Sequence, residues 1–366
     1  MGSITETLQS GAQLSDDEAY LYATELVSMS IPTMVLRVAF ELDLLEILTK
    51  AGPQGTMSAA EIASHLPTTN PEAPGMLERV LCVLATYSVV TCCVETTAEG
   101  KNERRYGLAP VCKYLTQDKE GVSLAAIDLF VQSKIVMDTW YTLKDAILEG
   151  GTPWKRAHNA TLFELNSKDP KADYIFNKAM HDNTKIVVQK LLENYHGFDK
   201  INSLVDVGGG LGMSLNMIVS KHPHIKGINF DQPHVVAKAP AYKGVEHVGG
   251  DMFVSVPKAD AIYTKAVFHN WDDEHSLKLL KNCYEALPEG GKVIVVECLL
   301  SPVPEIDLAS KAAFIFNLMM MTHTGRGKER TEGEWNELAR RGGFQGVRVA
   351  CNAYCFRAIE ILKKKF

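Results

Sequence analysis

The sequence predicts an α/β protein in which a doubly wound, mostly parallel sheet follows an α-helical domain. After Ser203, short β-branched apolar runs alternate with helical segments, which is the pattern of a parallel sheet with crossover helices. The first of these runs ends in a glycine-rich turn. Before them, apolar residues recur at helical spacing through the first hundred positions. At 366 residues the chain is too long for one small core, so two domains are expected.

Composition narrows the class of protein. Hydrophobic residues make up 46% and charged residues 22%, values that exclude a disordered or collagen-like chain. The net charge of −6 argues against a nucleic-acid partner. We find no apolar run of membrane-spanning length and no secretion pattern near the start, so we expect a cytoplasmic protein with no membrane partner. The eight cysteines lack zinc-site spacing, so we expect no metal.

The N-terminal part is predicted to be helical and winged-helix-like. Ser15 precedes three acidic residues and should cap the first helix. Two further helices, at 58–65 and 73–84, are followed by β-prone runs at 88–94 and 105–107. The second of these helices carries Arg79 as its one basic residue in 74–81, which favours a dimerisation role over DNA reading. Helical stretches should follow at 124–148 and 174–195.

The second half is predicted to hold five strands that alternate with helices. Two further β-prone runs near the C-terminus could form an antiparallel pair at the sheet edge. We expect a flexible segment at 1–15, a winged-helix-like dimerisation domain at 16–121, a helical connection at 122–200 and an α/β domain at 201–366. The predicted strands are Leu204–Val207, Ile225–Phe230, Val245–Val248, Ala259–Thr264 and Lys292–Glu297, and the terminal pair is Val347–Tyr354 and Phe356–Leu362.

The glycine-rich turn after the first strand indicates a ligand at the carboxyl end of the sheet. Its sequence places Gly208, Gly210 and Gly212 directly after a strand. A dinucleotide fingerprint would need Gly or Ala where Met213 stands, which weakens a nicotinamide site. Carboxylates at three successive strand ends, Asp206, Asp231 and Asp251, suit a cationic nucleoside better than a pyrophosphate. The alternative for the turn is a tight connection with no ligand.

With these motifs in view, the chain resembles plant caffeic-acid-type O-methyltransferases from Asp16 to its C-terminus. The resemblance rests on 204–210, 227–231, 244–253 and 328–331. It implies a class I methyltransferase fold, an interlocking homodimer and S-adenosyl-methionine as methyl donor. It further implies that the cofactor contacts are Gly208, Asp231, Asp251, Met252, Phe253 and Lys265.

The resemblance also implies a catalytic base, His269, flanked by Glu297 and Glu329. The chemistry asks for such a group, because a phenol with a pKa near 10 is only about a thousandth ionised at neutral pH, and a neutral imidazole can remove its proton. A carboxylate on the other imidazole nitrogen would fix the tautomer. The alternatives are a structural histidine and ordinary carboxylates.

The same resemblance implies an acceptor pocket, but five of its positions hold residues that differ from those expected in the family. Where Asn, His, His, Asp and Asn are expected, the chain has Val131, Asn166, Asn183, Asn270 and Thr324. A changed hydrogen-bonding set should shift the acceptor away from caffeic acid toward a flatter, less polar aromatic such as a coumarin, flavonoid, stilbene, phenylpropene or alkaloid phenol. The apolar lining implied by the resemblance is Phe163, Phe176, Met180, Phe316, Met319 and Met320.

Two other functions remain open at this point. Relatives on this fold can methylate aromatic amines, although a neutral arylamine needs no strong base, and His269 with Glu297 therefore favours oxygen. A winged-helix protein without catalytic activity is the alternative from another class, and the acidic pI near 6.0 counts against it.

Overall fold

The computed structural model describes residues 14–52, 54–160, 164–165 and 169–363. The described chain forms two compact units. The first comprises 14–137 and 169–183, and the second comprises the remainder. The long helix Pro170–Asn194 contributes to both.

The first unit is mainly helical, with a small antiparallel sheet in the order β1-β3-β2. The predicted cap at Ser15 is confirmed, because its hydroxyl accepts the Glu18 N–H and the Glu18 carboxylate accepts the Ser15 N–H. The predicted hairpin is confirmed with Val90 opposite Leu108, and the short strand β1 beside it was not predicted. The elements are α1 Asp16–Ser28, α2 Ser30–Glu41, α3 Leu44–Thr49, β1 Met57–Ser58, α4 Ala59–Ala63, α5 Ala73–Thr86, β2 Val90–Thr96, β3 Asn102–Leu108, α6 Cys112–Leu115 and α7 Ala125–Val131.

The core of this unit lies under α3, α4 and α5, where Leu44, Leu48, Ile62, Leu81 and Leu84 are buried. Helix α1, in contrast, has no buried residue. Among the described residues no single helix is long and apolar enough to cross a membrane, whereas α1 and α2, bent by 48°, reach that length and composition only as a pair.

Three short helices replace the single predicted stretch at 124–148. The break after α7 occurs where the Ser133 hydroxyl accepts the Val136 N–H and starts a new helix. The next break occurs at Thr142, whose hydroxyl donates to the carbonyls of Thr139 and Pro153. The helices that follow α7 are α8 Lys134–Tyr141, α9 Leu143–Glu149, α10 Pro153–His158 and α11 Pro170–Asn194.

The second unit contains the predicted doubly wound sheet, in the order β10-β11-β8-β7-β4-β5-β6. Strands β4 to β8 pair in parallel, and the predicted terminal pair adds two antiparallel strands at one edge. The elements are β4 Ser203–Val207, α12 Met213–Lys221, β5 Lys226–Asp231, α13 Pro233–Val236, β6 Val245–Gly249, β7 Ala261–Lys265, a 3₁₀ helix Phe268–Asn270, α14 Asp273–Ala286, β8 Lys292–Leu300, α15 Leu308–Thr324, β9 Arg330–Thr331, α16 Glu332–Arg341, β10 Gly346–Ala353 and β11 Phe356–Leu362.

Buried apolar clusters cover both faces of this sheet. One contains Leu204, Leu215, Ile218 and Ile294, and the other contains residues such as Val205. The strand order reverses between β4 and β7, since β4 continues to β5 on one side and β7 continues to β8 on the other. A crevice opens at the carboxyl ends of strands where such an order reverses, and this places the glycine turn and the segment after β7 side by side.

Candidate active site

The glycine turn after β4 requires glycine at its first position. Gly208 has a φ of +71°, and its N–H donates to the Phe230 carbonyl at 2.8 Å. A Cβ on Gly208 would lie 2.7 Å from Cγ2 of Val267, closer than real Cβ atoms approach. Gly212, with a φ of +83°, is the N-cap residue of α12. The turn therefore packs directly against the segment after β7, and a side chain at 208 would separate them.

Asp231 and Asn229 hold the turn from the neighbouring strand. Oδ2 of Asp231 accepts the Gly210 N–H at 2.8 Å, and Oδ1 accepts the Gln232 N–H at 2.7 Å. Nδ2 of Asn229 donates to the Gly210 carbonyl at 2.9 Å. Each carboxylate oxygen has a second lone pair, so Asp231 can accept further hydrogen bonds while it orders the turn.

Asp206, at the base of the turn, is buried, and burial raises its pKa to about 7 despite the opposing charge of Lys265. Within the described residues its Oδ2 and the Oδ1 of Asn229 are buried without a hydrogen-bond partner. Asp251, after β6, accepts the Phe253 N–H at 2.8 Å. These acceptor atoms beside a turn without side chains fit a cationic nucleoside, whose hydroxyl and amino groups donate hydrogen bonds.

Met252 and Phe253 continue from Asp251 into an aromatic group. The Phe253 ring meets Trp271 edge to face at 4.7 Å, and Trp271 stacks on His275 at 5.3 Å. Met252 packs on the apolar cluster of the same sheet face, and its carbonyl accepts from Asn282 at 2.8 Å. Both residues predicted to contact the cofactor are thus fixed on the second unit.

We define residues 265–271 as the histidine loop. It begins with Lys265 at the end of β7, where burial lowers the lysine pKa to about 8 although Asp206 and Glu297 oppose the change. Ala266 follows with a φ of +55°, which is unusual for a residue with a side chain. His269 lies in the 3₁₀ helix and is buried.

His269 and Glu329 form a close pair, with Nδ1 of the imidazole 2.7 Å from Oε1 of the carboxylate. A carboxylate accepts, so Nδ1 carries a proton and Nε2 of the neutral ring is left as the basic atom. Burial lowers the His269 pKa, but the hydrogen bond and charge of Glu329, together with the charge of Glu297, outweigh it and raise the pKa above its ordinary value.

Glu297, on β8, contacts the loop rather than the imidazole ring. Its Oε1 accepts the backbone N–H groups of Val267 at 3.0 Å and His269 at 3.2 Å. Burial raises its pKa to about 7, against the charge of His269. The two carboxylates predicted to flank the histidine both do so, but Glu329 orients the ring whereas Glu297 holds the backbone.

The residues predicted for the acceptor pocket fall on both units. In the second unit, the Asn270 amide donates to the Ala266 carbonyl at 3.0 Å, and the Thr324 hydroxyl donates to the Met320 carbonyl at 2.7 Å. Phe316 packs on Phe356 in the core. Phe163 and Asn166 lie outside the described residues. The others are Met319 on α15, Val131 at the end of α7, and Phe176, Met180 and Asn183 on α11.

Two residues at the site were not predicted. Arg330 is buried and donates to carbonyls of the histidine loop, and Asn317 on α15 accepts the Glu329 N–H at 3.0 Å. Arg330 stands in the motif at 328–331, but nothing in its neighbours along the chain signals burial. Among the described residues, no group of three or more His, Cys, Asp or Glu side chains could hold a metal ion.

Comparison with known proteins gives consistent matches. A family model for the O-methyltransferase domain matches residues 140–345, and one for the O-methyltransferase dimerisation domain matches 24–118. The chain is 54% identical to caffeic acid 3-O-methyltransferase 1 of Populus tremuloides and 55% identical to caffeic acid 3-O-methyltransferase of Prunus dulcis, with all of each chain covered.

Solved structures share the fold. The human N-acetylserotonin methyltransferase in complex with S-adenosyl-methionine aligns with a TM-score of 0.78 at 21% identity, covering 97% of this chain and 100% of that one. A methyltransferase of calicheamicin biosynthesis aligns with a TM-score of 0.79 at 22% identity, covering 95% and 99%. At these identities the likeness concerns the fold alone.

Proposed function

Because the chain belongs to the O-methyltransferase family, we propose that it methylates a phenolic hydroxyl of a plant phenylpropanoid or related aromatic metabolite. The observation that carries the proposal is the 2.7 Å pair of His269 and Glu329 in a loop that packs on the glycine turn. A base and a nucleoside-binding turn at adjoining strand ends are what methyl transfer to oxygen requires.

S-adenosyl-methionine supplies the electrophilic methyl group. In this proposal the turn at Gly208 would let the cofactor approach the backbone, and Asp231 would accept from its ribose hydroxyls with the lone pairs that the turn leaves free. Asp251, Met252, Phe253 and Lys265 would contact it as well. The glycine turn, the carboxylates and the orphaned acceptors of Asp206 and Asn229 support this assignment.

His269 acts as the general base. Nε2 takes the phenolic proton as the oxygen attacks, and the imidazolium that forms is stabilised by Glu329 on Nδ1. Glu297 accepts the N–H groups on both sides of Phe268 and so fixes the position of the His269 ring. Burial of all three side chains strengthens their mutual electrostatic interactions because water does not screen them.

In this proposal, the choice of acceptor depends on the polar pocket positions at which the chain differs from the family it resembles. That the helical connection at 122–200 contributes to the acceptor pocket stays a prediction from the sequence. The loss of amide and imidazole groups at 131, 166 and 183 favours a flat aromatic with fewer polar substituents than caffeic acid. The short Thr324 side chain, whose hydroxyl is already bonded to the helix carbonyl, supports the same inference. The cytoplasmic location expected from the sequence stays a prediction.

The test is a screen of phenols and aromatic amines with labelled S-adenosyl-methionine, followed by identification of the product. We expect an O-methylated phenol, and the screen should include caffeic acid, coumarins, flavonoids, stilbenes and phenylpropenes. Transfer to nitrogen alone, or no transfer by protein that binds the cofactor, would contradict the proposal. Retention on DNA at low salt tests the alternative without catalytic activity.

A further inference from the structure

The backbone of the histidine loop is held by side chains in addition to the two backbone hydrogen bonds of its 3₁₀ turn. The 3₁₀ helix is a single turn, so most of its polar backbone groups need partners elsewhere. Glu297 accepts the N–H groups of residues 267 and 269. The carbonyls at 266 and 267 accept from Asn270. Of the two carbonyls that bracket the histidine, that of Phe268 accepts the Trp271 N–H at 3.0 Å, and that of Trp271 has its partner outside the loop.

Arg330 donates to both of these carbonyls. Its Nη1 donates to the Phe268 carbonyl at 3.2 Å, and its Nη2 donates to the Trp271 carbonyl at 2.9 Å. The residue is 1% exposed, so neither water nor bulk ions can replace these bonds. One planar guanidinium thus spans the turn that carries His269, a geometry that a lysine ammonium cannot reproduce.

The guanidinium is itself anchored on α14 and α16. Nε and Nη2 donate to Oδ1 of Asp273 at 3.0 and 2.9 Å, and Nη2 also donates to the Ser276 hydroxyl at 3.0 Å. Its carbon lies 5.6 Å from the centre of the Trp335 ring. These contacts fix the position of the guanidinium, and through it the position of the loop.

Chain connectivity links the same residue to the imidazole's partner. Arg330 directly follows Glu329, and strand β9 pairs Arg330 with Leu299 on β8, two residues beyond Glu297. Movement of residue 330 would therefore displace Glu329 from Nδ1 as well as release the loop carbonyls. The charge of Arg330 also opposes the rise that burial causes in the Glu297 pKa.

We propose that Arg330 is the positioning residue of the catalytic base, fixing His269 against Glu329 and Glu297 for proton removal. The inference rests on the proposed function, since it concerns the same histidine. It assigns Arg330 no contact with the cofactor or the acceptor. The loss of Arg330 should consequently lower kcat and leave cofactor binding intact.

The experiment compares Arg330→Lys with the wild type in steady-state kinetics across pH, using a phenol that the wild type methylates. We expect kcat to fall by about ten- to a hundredfold, because a small misplacement of a catalytic group has such an effect. The acceptor KM and the Kd for S-adenosyl-homocysteine should stay within about twofold. The charged groups that set the His269 pKa are Glu329, Glu297 and Lys265. With Glu329 displaced, the acid limb of the kcat profile should move to lower pH.

The matched control is Arg348→Lys. Arg348 also pairs with a buried carboxylate, that of Glu360, but it lies on β10 and not in the histidine loop. That variant should keep the wild-type kcat and pH profile. If Arg330→Lys loses stability while its folded fraction keeps the wild-type kcat and pH profile, Arg330 is only structural and the inference is wrong.

If Arg330→Lys does not fold, the double variant Asp273→Ala with Ser276→Ala removes both acceptors of α14 from the guanidinium and is measured instead. An unchanged kcat there would overturn the inference, and a lower kcat with unchanged cofactor affinity would support it. Failure of the wild type to methylate any phenol would overturn the proposed function. If the wild type methylates a phenol and the Arg330 variant is equally active, the inference about Arg330 is wrong and the proposed function stands.

Discussion

At the scale of single residues, two buried carboxylates act on one histidine in different ways. Glu329 meets the imidazole at Nδ1, and Glu297 meets the backbone on both sides of Phe268. The first determines which nitrogen is basic, and the second determines where that nitrogen lies. A buried imidazole without such partners would have a depressed pKa and a disordered tautomer.

Replacing His269 by Gln tests whether the imidazole is the base. His269→Gln should lower turnover at neutral pH by about a hundred- to ten-thousandfold, the usual contribution of general-base catalysis. The deficit should shrink as pH approaches the acceptor's own pKa, because the phenolate then forms unaided. Kinetics from neutral to alkaline pH, with calorimetry of S-adenosyl-homocysteine as the folding control, measure this. A folded variant with near wild-type turnover at pH 7 would end the case for His269.

Replacing Glu329 by Gln tests the origin of the raised His269 pKa. The neutral imidazole is the active form, and it is lost as pH falls through the raised pKa. Glu329→Gln removes the charge that raises this pKa, so the acid limb of the kcat profile should move to lower pH. The plateau should fall, since the imidazolium loses its partner. An acid limb that stays in place would show that Glu329 does not set the pKa.

The sequence pointed to Asp231 through its place at a strand end and to His269 and Glu329 through the family resemblance, and the roles of these residues stay predictions. It could not distinguish the roles of Glu297 and Glu329, because hydrogen bonding to a backbone N–H leaves no trace in residue type. Arg330 was missed for a related reason. An arginine is usually exposed, and its burial follows from tertiary contacts with Asp273 and Trp335.

At the scale of elements, the turn after β4 and the loop after β7 are coupled by direct contact. Gly208 leaves room for Val267, and the N–H of Val267 is held by Glu297. The glycine turn and the histidine loop are therefore one packed unit at the point where the strand order reverses. A change in one should be transmitted to the other.

Gly208→Ala tests this coupling. A Cβ there would meet Val267 Cγ2 at 2.7 Å, so we expect cofactor affinity to fall at least about tenfold, in line with overpacking costs of about 1–3 kcal/mol. Adding Val267→Ala should recover part of the affinity by removing the clash. Calorimetry of S-adenosyl-homocysteine measures both.

The matched control is Gly290→Ala, because Gly290 has a φ of +78° but nothing within 4 Å of its Cβ position. It should cost about 1 kcal/mol of stability from backbone strain and leave cofactor affinity unchanged. Equal losses of affinity in the two variants, or no recovery in the double variant, would refute the coupling.

Elements with a strong local signal were predicted well. The five strands of the parallel sheet were found because they are β-branched runs bounded by turns, and the terminal pair was found because two such runs stand close together. The stretch at 124–148 was predicted as one helix, because Ser133 and Thr142 are ordinary helix residues until their hydroxyls bond to the backbone. Strand β1 has two residues and carries no periodicity.

At the scale of the whole molecule, helix α1 of the first unit carries an apolar surface that the described residues of the single chain leave exposed. Helix α1 has 13 residues, none of them buried, and isolated helices of that length are marginal in water. Its exposed side chains include Tyr20, Leu21, Leu26 and Val27, which is far more apolar surface than one solvated helix normally shows. The match of 24–118 to a dimerisation domain supports a second copy of the chain as the partner that covers this surface.

We therefore expect light scattering to give twice the chain mass of 40.3 kDa, and Leu21→Glu with Val27→Glu to shift the protein to monomer. Leu21 is 65% and Val27 85% exposed in the single chain, so the charges would cost little unless a partner buries them. Val254→Glu is the control, because Val254 is 74% exposed on the second unit and should leave the mass unchanged. The dimer should also unfold at a temperature that rises with protein concentration, whereas a monomer should not. A wild-type monomer at micromolar concentration, or a double variant that remains dimeric, would exclude α1 from the interface.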